Sequence, residues 1–196
     1  MNAATLIREL GLQPHPEGGW YREIYRSPTR VETARGARSA LTTIYYLLES
    51  KQLSRWHVVQ ADELWHFYSG TPLELLAYNP SARELERRVL GPVSSHSAVA
   101  ELFAGTPESD VAHFDVDLTS TLHFPVPEIA AVAHLCEVVS VIPTGVWQAA
   151  RSLGEYSLVG CTVGPGFEFA DFEFVSALPS HAEHFSGELA RYSNLL

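Results

Sequence analysis

The chain has 196 residues, 46% of them hydrophobic and 18% charged, which is enough apolar material to bury the core of one domain. Its formal net charge of −10, with only 13 lysines and arginines, argues against a nucleic-acid partner, because such binding needs cations at the phosphates. No apolar run approaches the roughly 20 residues of a membrane span, and residues 1–11 show no secretory leader pattern. We therefore expect a cytoplasmic protein that binds neither nucleic acid nor membranes.

The first predicted element is a short helix over residues 2–11. Asn2 can cap its start, and Gly11 can adopt the left-handed conformation that ends it. The following stretch, Pro14-His-Pro-Glu-Gly-Gly-Trp20, holds two prolines and two glycines and predicts a shaped loop. Within it, His15 either supports the loop or covers the mouth of a cavity.

Short strands dominate the rest of the chain. Predicted strands cover residues 21–26, 41–48, 56–60, 63–68, 73–78, 84–90, 137–142, 156–163 and 167–175. The last of these changes parity between Phe169 and Phe172, which predicts a β-bulge. Many short strands separated by Gly/Pro turns are typical of a sandwich or barrel, and closing a barrel removes exposed strand edges.

Residues 94–134 break this rhythm, since helix-like and strand-like stretches alternate there without regular turns. We interpret the segment as an insertion into a single domain that spans residues 1–196. A helical tail is predicted at about residues 180–191. The predicted fold class is thus mainly β, with a helix near each end.

Two blocks of sequence carry the candidate chemistry. In the first, His57 and Glu63 lie on two consecutive predicted strands and can project into one barrel, before a turn at Gly70. In the second, a Pro-x-Gly turn at Pro143 is expected to return Trp147 and Gln148 to the interior. A buried glutamate has a raised pKa and a histidine titrates near neutrality, so the pair suits acid–base chemistry.

These blocks resemble the two cupin motifs. The first motif, Gly-x5-His-x-His-x3-Glu-x6-Gly, is matched at His57, Glu63 and Gly70, and the second, Pro-x-Gly-x-x-His, at Pro143 and Gly145. With the Pro14-His-Pro-Glu-Gly-Gly loop and residues 62–70, 145–151 and 158–172, the chain resembles the fifth catalogued cupin-like family, a domain of unknown function. That resemblance implies a double-stranded β-helix (jelly-roll-like) barrel, usually a homodimer, related in fold to the dTDP-sugar 3,5-epimerases (RmlC-like). It implies no particular reaction.

The resemblance also identifies what this chain lacks. Metal-binding cupins supply three histidines and one glutamate to a divalent cation. Here Val59 and Gln148 replace two of the histidines, which leaves His57, Glu63 and Gln148 as the candidate metal ligands. We therefore predict a site without a metal, and a divalent cation remains the alternative.

The predicted function is to bind a small polar molecule, such as a sugar or nucleotide derivative, and to isomerise or epimerise it. His57 would act as base or hydrogen-bond partner and Glu63 as acid/base group or anchor. The resembling epimerases are implied to use a tyrosine as acid, and Tyr45 is one candidate for that position. The other ligand-binding candidates are Trp147 as a stacking wall, Gln148 as an orienting amide, and Arg22 and Arg151 for an anionic group. Two alternatives stay open: a non-catalytic sensor or storage protein, and a metal-dependent cupin enzyme.

Overall fold

The computed structural model describes residues 1–92, 136–179, 181–186 and 189–196. It opens with helix α1 (Ala3–Glu9). The side chain of Asn2 caps this helix, accepting the backbone N–H of Thr5 at 2.9 Å, and Gly11 has a φ of +61° just after the helix ends. Both features confirm the predicted N-terminal helix.

Most of the described chain is antiparallel β-sheet. A six-stranded sheet has, in spatial order, β1 (Gln13–Pro14), β2 (Trp20–Arg26), β5 (Thr42–Glu49), β12 (Tyr156–Gly164), β7 (Asp62–Gly70) and β10 (Val139–Ile142). A five-stranded sheet has, in spatial order, β13 (Phe172–Phe174), β6 (Leu53–Val59), β11 (Trp147–Ser152), β8 (Leu73–Asn79) and β9 (Glu84–Leu90). A small hairpin joins β3 (Arg30–Val31) to β4 (Arg38–Ser39).

The two large sheets enclose one core, and the predicted mainly β fold is confirmed. Successive residues of a strand face opposite sides, so each strand gives alternate side chains to the interior. The inward set from both sheets forms the main apolar cluster: Tyr46, Leu48, Trp65, Leu73, Leu75, Ala77, Leu90, Ile142, Ala150, Val159 and Cys161.

The outer face of the five-stranded sheet is covered by the C-terminal segments. These are a 3₁₀ turn (Val175–Ala177), the one-turn helix α2 (His181–His184) and a second 3₁₀ segment (Leu189–Leu195). Trp56 lies beneath them and donates its indole N–H to the carbonyl of Tyr192 at 3.0 Å. The helical tail predicted for 180–191 is thus shorter helical pieces that run on to Leu195; residues 180, 187 and 188 lie outside the described residues.

The strand predicted for 167–175 is much shorter in the structure. A 3₁₀ turn (Phe169–Asp171) precedes β13. This turn buries Asp171, whose carboxylate binds two arginines. The carboxylate accepts Nε–H of Arg35 at 2.8 Å and Nε–H of Arg38 at 2.7 Å. The parity change marked the right place, and a turn rather than a bulge produces it.

The predicted insertion, residues 94–134, lies outside the described residues. The chain on either side of it is hydrogen-bonded together. Gly91 N–H donates to the carbonyl of Glu137 at 2.9 Å, and Glu137 N–H donates to the carbonyl of Val89 at 2.8 Å. The chain therefore leaves the barrel and returns to it at one place. None of the helices in the described ranges is long and apolar enough to cross a membrane.

Candidate functional site

A cavity of about 160 Å³ lies between the two sheets. On β5, Thr42 and Ile44 line it, whereas Tyr46 and Leu48 on the same face belong to the apolar core. The cavity therefore occupies one end of the barrel and the core fills the other. An apolar cavity of about 150 Å³ can hold benzene, so this volume corresponds to a single six-membered ring.

Three of the predicted site residues meet at this cavity. His57 and Glu63 line it, and Gln148 lies opposite His57 on the neighbouring strand. The Gln148 amide donates to Glu63 Oε2 at 2.6 Å and its oxygen accepts the indole N–H of Trp65 at 3.0 Å. Because both ends of this amide are engaged, Gln148 holds the Glu63 carboxyl in place.

The glycine-rich loop adds two further groups, His15 and Glu17. Gly18 has a φ of +117°, and a Cβ there would lie 2.0 Å from the carbonyl oxygen of Leu53, so only glycine fits where the loop enters the corner between the sheets. The loop is fixed by the N–H of Arg55, which donates to the Glu17 carbonyl at 3.1 Å. It thereby turns the side chain of Glu17 into the barrel, where only 6% of that residue is exposed.

Glu17 determines how His57 presents its ring. His57 Nδ1 lies 2.7 Å from the carbonyl oxygen of Arg55, which can only accept, so Nδ1 carries a hydrogen. Glu17 Oε2 is 3.2 Å from the same nitrogen, and Glu17 Oε1 accepts from the Ser54 hydroxyl at 3.1 Å. In the neutral ring the lone pair is therefore on Nε2, which makes no hydrogen bond to the described residues. Because no fully buried side-chain nitrogen among them lacks a partner, Nε2 is open to the solvent of the cavity.

Burial shifts all four titratable groups toward their neutral forms. Burial raises the pKa of Glu17, against the lowering effects of His15 and Ser54. It raises the pKa of Glu63 too, opposed by His57 and reinforced by the charge of Glu17. Burial lowers the pKa of His57 and of His15. The cavity thus combines basic, uncharged histidines with carboxyls that retain protons at higher pH than usual.

Cys161 is a further group on the cavity wall. Its thiol hydrogen-bonds to Glu63, and burial raises its pKa well above the ordinary range. A thiol in that state is a poor nucleophile. Its role in the site is to support Glu63 together with Gln148.

Trp147 does not lie in the cavity. It precedes Gln148 on β11, and adjacent residues of a strand face opposite sides, so an inward Gln148 requires an outward Trp147. Its indole contacts Tyr78, His184 and Phe185, with ring centroids 5.5, 5.0 and 6.4 Å away. Trp147 therefore anchors the C-terminal segments.

Tyr45 and Arg22 lie together on the outer face of the six-stranded sheet. The ring of Tyr45 has its centroid 6.0 Å from that of Tyr68, and the Arg22 guanidinium lies 5.8 Å from the Tyr45 centroid. Adjacent residues of a strand face opposite sides, so Tyr46, the neighbour of Tyr45, points into the barrel. The buried hydroxyl of Tyr46 donates to the carbonyl of Gly18 at 2.8 Å. Within the described lining the tyrosine on the cavity wall is Tyr21, whose ring meets His15 edge-on at 4.5 Å.

Arg151 is also remote from the cavity. Its Nε donates to Oε2 of the fully buried Glu74 at 2.5 Å, and Arg87 pairs with the other oxygen of that carboxylate. This network lies on the outward face of the five-stranded sheet, because Arg151 is four residues from the outward Trp147 on the same strand. Neither Arg22 nor Arg151 contributes charge to the cavity lining.

The candidate metal ligands do not fit a divalent cation. The Gln148 oxygen accepts from Trp65 and its nitrogen faces Glu63, so the amide presents a donor rather than a ligand atom to Glu63. Within the described ranges, no group of three or more His, Cys, Asp or Glu residues is arranged to hold a metal ion. Glu63 is instead bonded to Gln148, and Glu17 to Ser54.

Two antiparallel sheets with a polar cavity at one end of the barrel are the architecture of a cupin. The sequence profile of the family described as Cupin superfamily (DUF985) matches residues 4–108 and 128–175, and the chain belongs to this family. The predicted family is therefore confirmed. The match is interrupted within the predicted insertion, which itself stays a prediction.

Solved structures resemble the whole chain. A hypothetical protein from Leishmania major is 25% identical with a TM-score of 0.68, covering 98% of both chains. A protein from Shewanella oneidensis is 28% identical with a TM-score of 0.67, covering 100% of this chain and 97% of its own. Oxalate decarboxylase from Bacillus subtilis aligns at 12% identity with a TM-score of 0.49 over 36% of its chain, a likeness too weak to indicate chemistry. No curated protein matches the sequence.

Proposed function

We propose that this cupin is an isomerase or epimerase that moves a proton on a compact polar molecule held in the cavity. One observation carries the proposal: the unpartnered Nε2 of His57 shares one cavity with the buried carboxyls of Glu17 and Glu63. A base and two acids whose pKa values are raised by burial are the groups that such a transfer needs.

The chemistry follows for a substrate with a C–H bond next to a carbonyl group. His57 Nε2 takes the proton, and the electron pair of the C–H bond moves to the carbonyl oxygen. A protonated carboxyl, Glu63 or Glu17, donates a hydrogen bond to that oxygen as its charge grows. For an epimerisation, the carboxyl that does not hold the oxygen gives its proton to the opposite face of the carbon, and solvent exchange then restores both groups. For an isomerisation, His57 returns its proton to the neighbouring carbon, and neither route involves a net redox change.

The surroundings of the three groups support these roles. Glu17 and the Arg55 carbonyl both face His57 Nδ1, so they orient the ring and stabilise the imidazolium that forms. Gln148 and Cys161 hold Glu63 from the other side. The cavity volume suits a single sugar-like ring, and the nucleotide of a nucleotide sugar would have to remain outside the mouth.

Hydrogen exchange at carbon tests the proposal without knowledge of the product. The protein is incubated in D₂O with a panel of small aldoses, ketoses and amino sugars, and proton NMR follows loss of the C–H signal beside each carbonyl. We expect exchange for at least one compound, and His57→Gln should slow it by roughly 100-fold or more. Trp147→Phe, outside the cavity, is the matched control and should keep the wild-type rate.

Two other outcomes would contradict the proposal. A compound that binds tightly but keeps all its C–H protons would favour a non-catalytic sensor or storage protein. Exchange that disappears after chelation and returns with one divalent cation would favour a metal-dependent enzyme.

We also propose that the protein forms a homodimer through the outer face of the six-stranded sheet. That face exposes large apolar side chains, among them Ile24, Tyr68, Val139 and Val141, each between 39% and 48% exposed. Light scattering coupled to gel filtration should give twice the 21.7 kDa monomer mass, and Val139→Lys should lower it. A wild-type protein that elutes as a monomer at micromolar concentration would contradict the dimer.

A further inference from the structure

We infer that the cavity selects a positively charged ligand, a compact primary amine such as an amino sugar, with its ammonium group between Glu17 and Glu63. This inference builds on the proposed function, because it names the substrate class of the same cavity. Four features of the described lining support it. They are its balance of acidic and basic residues, the lack of a cation beside the inner carboxyls, the unpartnered nitrogen of His57 and the two ion pairs that already engage the single arginine.

The charge balance of the lining is strongly negative. It contains four glutamates, Glu17, Glu23, Glu63 and Glu168, and one arginine, Arg26. Arg26 lies at the mouth, where it pairs with Glu23 at 2.8 Å and with Glu168 at 2.9 Å. The guanidinium of Arg26 already forms ion pairs with two carboxylates, so a phosphate or carboxylate ligand would find no unpaired arginine in the described lining.

The two inner carboxyls lack a cationic partner. In the described part of the chain Glu17 pairs with His15 and His57, and Glu63 forms no ion pair at all. Arg55 acts on Glu17 from a distance, while its guanidinium donates to the carbonyl of Pro16 at 2.8 Å outside the lining. A carboxylate that ionises in a buried place without a cation is destabilised, and an ammonium ion beside it would stabilise the charged form while the second carboxyl keeps its proton.

An acidic pair alone does not define a site, and His57 supplies the independent observation. This residue is only 2% exposed, yet its Nε2 has no protein partner among the described residues and bears the lone pair. An ammonium group has three donors and no acceptor. One ionised carboxylate and this nitrogen are acceptors that face the same small cavity, and an ammonium ion can donate to both, whereas an ionised carboxylate or phosphate ligand has no hydrogen to give them.

The first test compares ligands that share a carbon skeleton and differ in the charged group that they carry. Glucosamine has an ammonium group at C2, glucose has no charge and glucuronate has a carboxylate at C6; the shorter triplet of ethanolamine, ethylene glycol and glycolate carries its variable group at one position. Calorimetric titration should show the amine of at least one triplet binding at least tenfold more tightly than its two partners. Equal binding across the triplets, or no amine binding at millimolar concentration, would overturn the inference.

The second test measures protons released on binding. An ammonium ion favours the ionised carboxyls, and burial raises the pKa of both in the free cavity. Amine binding should therefore release protons at one or more pH values in a series from 5 to 8, and a neutral ligand should release none. Calorimetry in two buffers with different ionisation enthalpies gives the number released. The titratable and charged groups that face the inner carboxyls or the mouth are His15, Tyr21, Glu23, Arg26, Tyr46, Arg55, His57, Cys161 and Glu168.

Matched variants locate the effect. Glu63→Gln and Glu17→Gln should each reduce both the proton release and the preference for amines, whereas Glu86→Gln, an exposed acid outside the cavity lining, should change neither. An unchanged preference in both cavity variants would contradict the assignment to these carboxyls. Hydrogen exchange at carbon separates this inference from the proposed function. Amines that bind but do not exchange their C–H protons would refute only the isomerase. Exchange seen on neutral or anionic compounds alone would refute only the preference for a positive charge.

Discussion

At His57, the direction of one hydrogen bond sets the chemistry of the site. The Arg55 carbonyl accepts at 2.7 Å, so Nδ1 bears the hydrogen and Nε2 the lone pair. The sequence predicted His57 and Glu63 as a pair, because motif spacing defines which strand each belongs to. It did not identify Glu17, because a loop has no repeating parity from which the direction of a side chain follows. The useful signal there was the Gly-Gly pair, which indicates that the loop packs against backbone.

The buried Glu17 should make the protein less stable at alkaline pH. Its folded-state pKa is raised above the ordinary value of 4.5, so folding penalises the charged form. That penalty is absent below about pH 4.5 and grows as pH rises through the folded-state pKa. In Glu17→Gln the amide oxygen can still accept from His57, and the penalty is removed. Urea unfolding at pH 8 should therefore give a free energy of unfolding about 1–2 kcal/mol higher than wild type.

The control for this prediction is the acid side of the same profile. Burial lowers the folded-state pKa of His15 and of His57, so folding favours their neutral forms. Their contribution to the free energy of unfolding is therefore complete above about pH 6.5 and is lost as the pH falls through the lowered pKa values. Glu17→Gln should leave that decline in place, and the gain over wild type should vanish near pH 4. A gain that is equal at pH 4 and pH 8 would show that burial of charge is not its cause.

At the scale of elements, parity explains most of what the sequence predicted and what it did not. Strand β9 has the predicted bounds, since alternation and turn residues define it. Trp147 and Tyr45 were expected at the site and lie outside it, because their neighbours Gln148 and Tyr46 take the inward positions. The 3₁₀ turn before β13 could not be foreseen, since it depends on Asp171 meeting arginines more than 130 positions away in the sequence.

The glycine loop provides a prediction at this scale. Gly18→Ala would place a Cβ 2.0 Å from the Leu53 carbonyl oxygen at a φ of +117°, so both strain and overlap oppose it. Gly145→Ala is the matched control, because Gly145 has a φ of +79° but a Cβ added there would meet no described atom within 4 Å. We expect a loss of about 2–4 kcal/mol for Gly18→Ala and about 1 kcal/mol for Gly145→Ala in urea unfolding. Equal losses would mean that the loop moves aside at no cost, and Glu17 would then not be firmly placed.

For the whole molecule, the described strands on either side of the segment predicted to be inserted belong to the same two sheets. The main core cluster draws on both sheets. The two ends of the segment are already joined, through Gly91 and Val89 to Glu137. Closing a short loop between neighbouring ends costs little, because loop entropy varies only slowly with length.

Replacing residues 93–135 with a short Gly/Ser linker should therefore leave a folded barrel. We expect a cooperative thermal transition and the wild-type pH profile of stability, since Glu17, His57 and Glu63 all lie outside the segment. Circular dichroism measures the fold, and the calorimetric preference for amines measures the site.

A matched variant with the same linker inserted after Asn79, in the turn before β9, tests tolerance of the linker itself at a site where nothing is removed. If the replacement unfolds the chain while the Asn79 insertion does not, the segment contributes to the core and is not an insertion. If the barrel folds but amine binding is lost, the segment belongs to the ligand site.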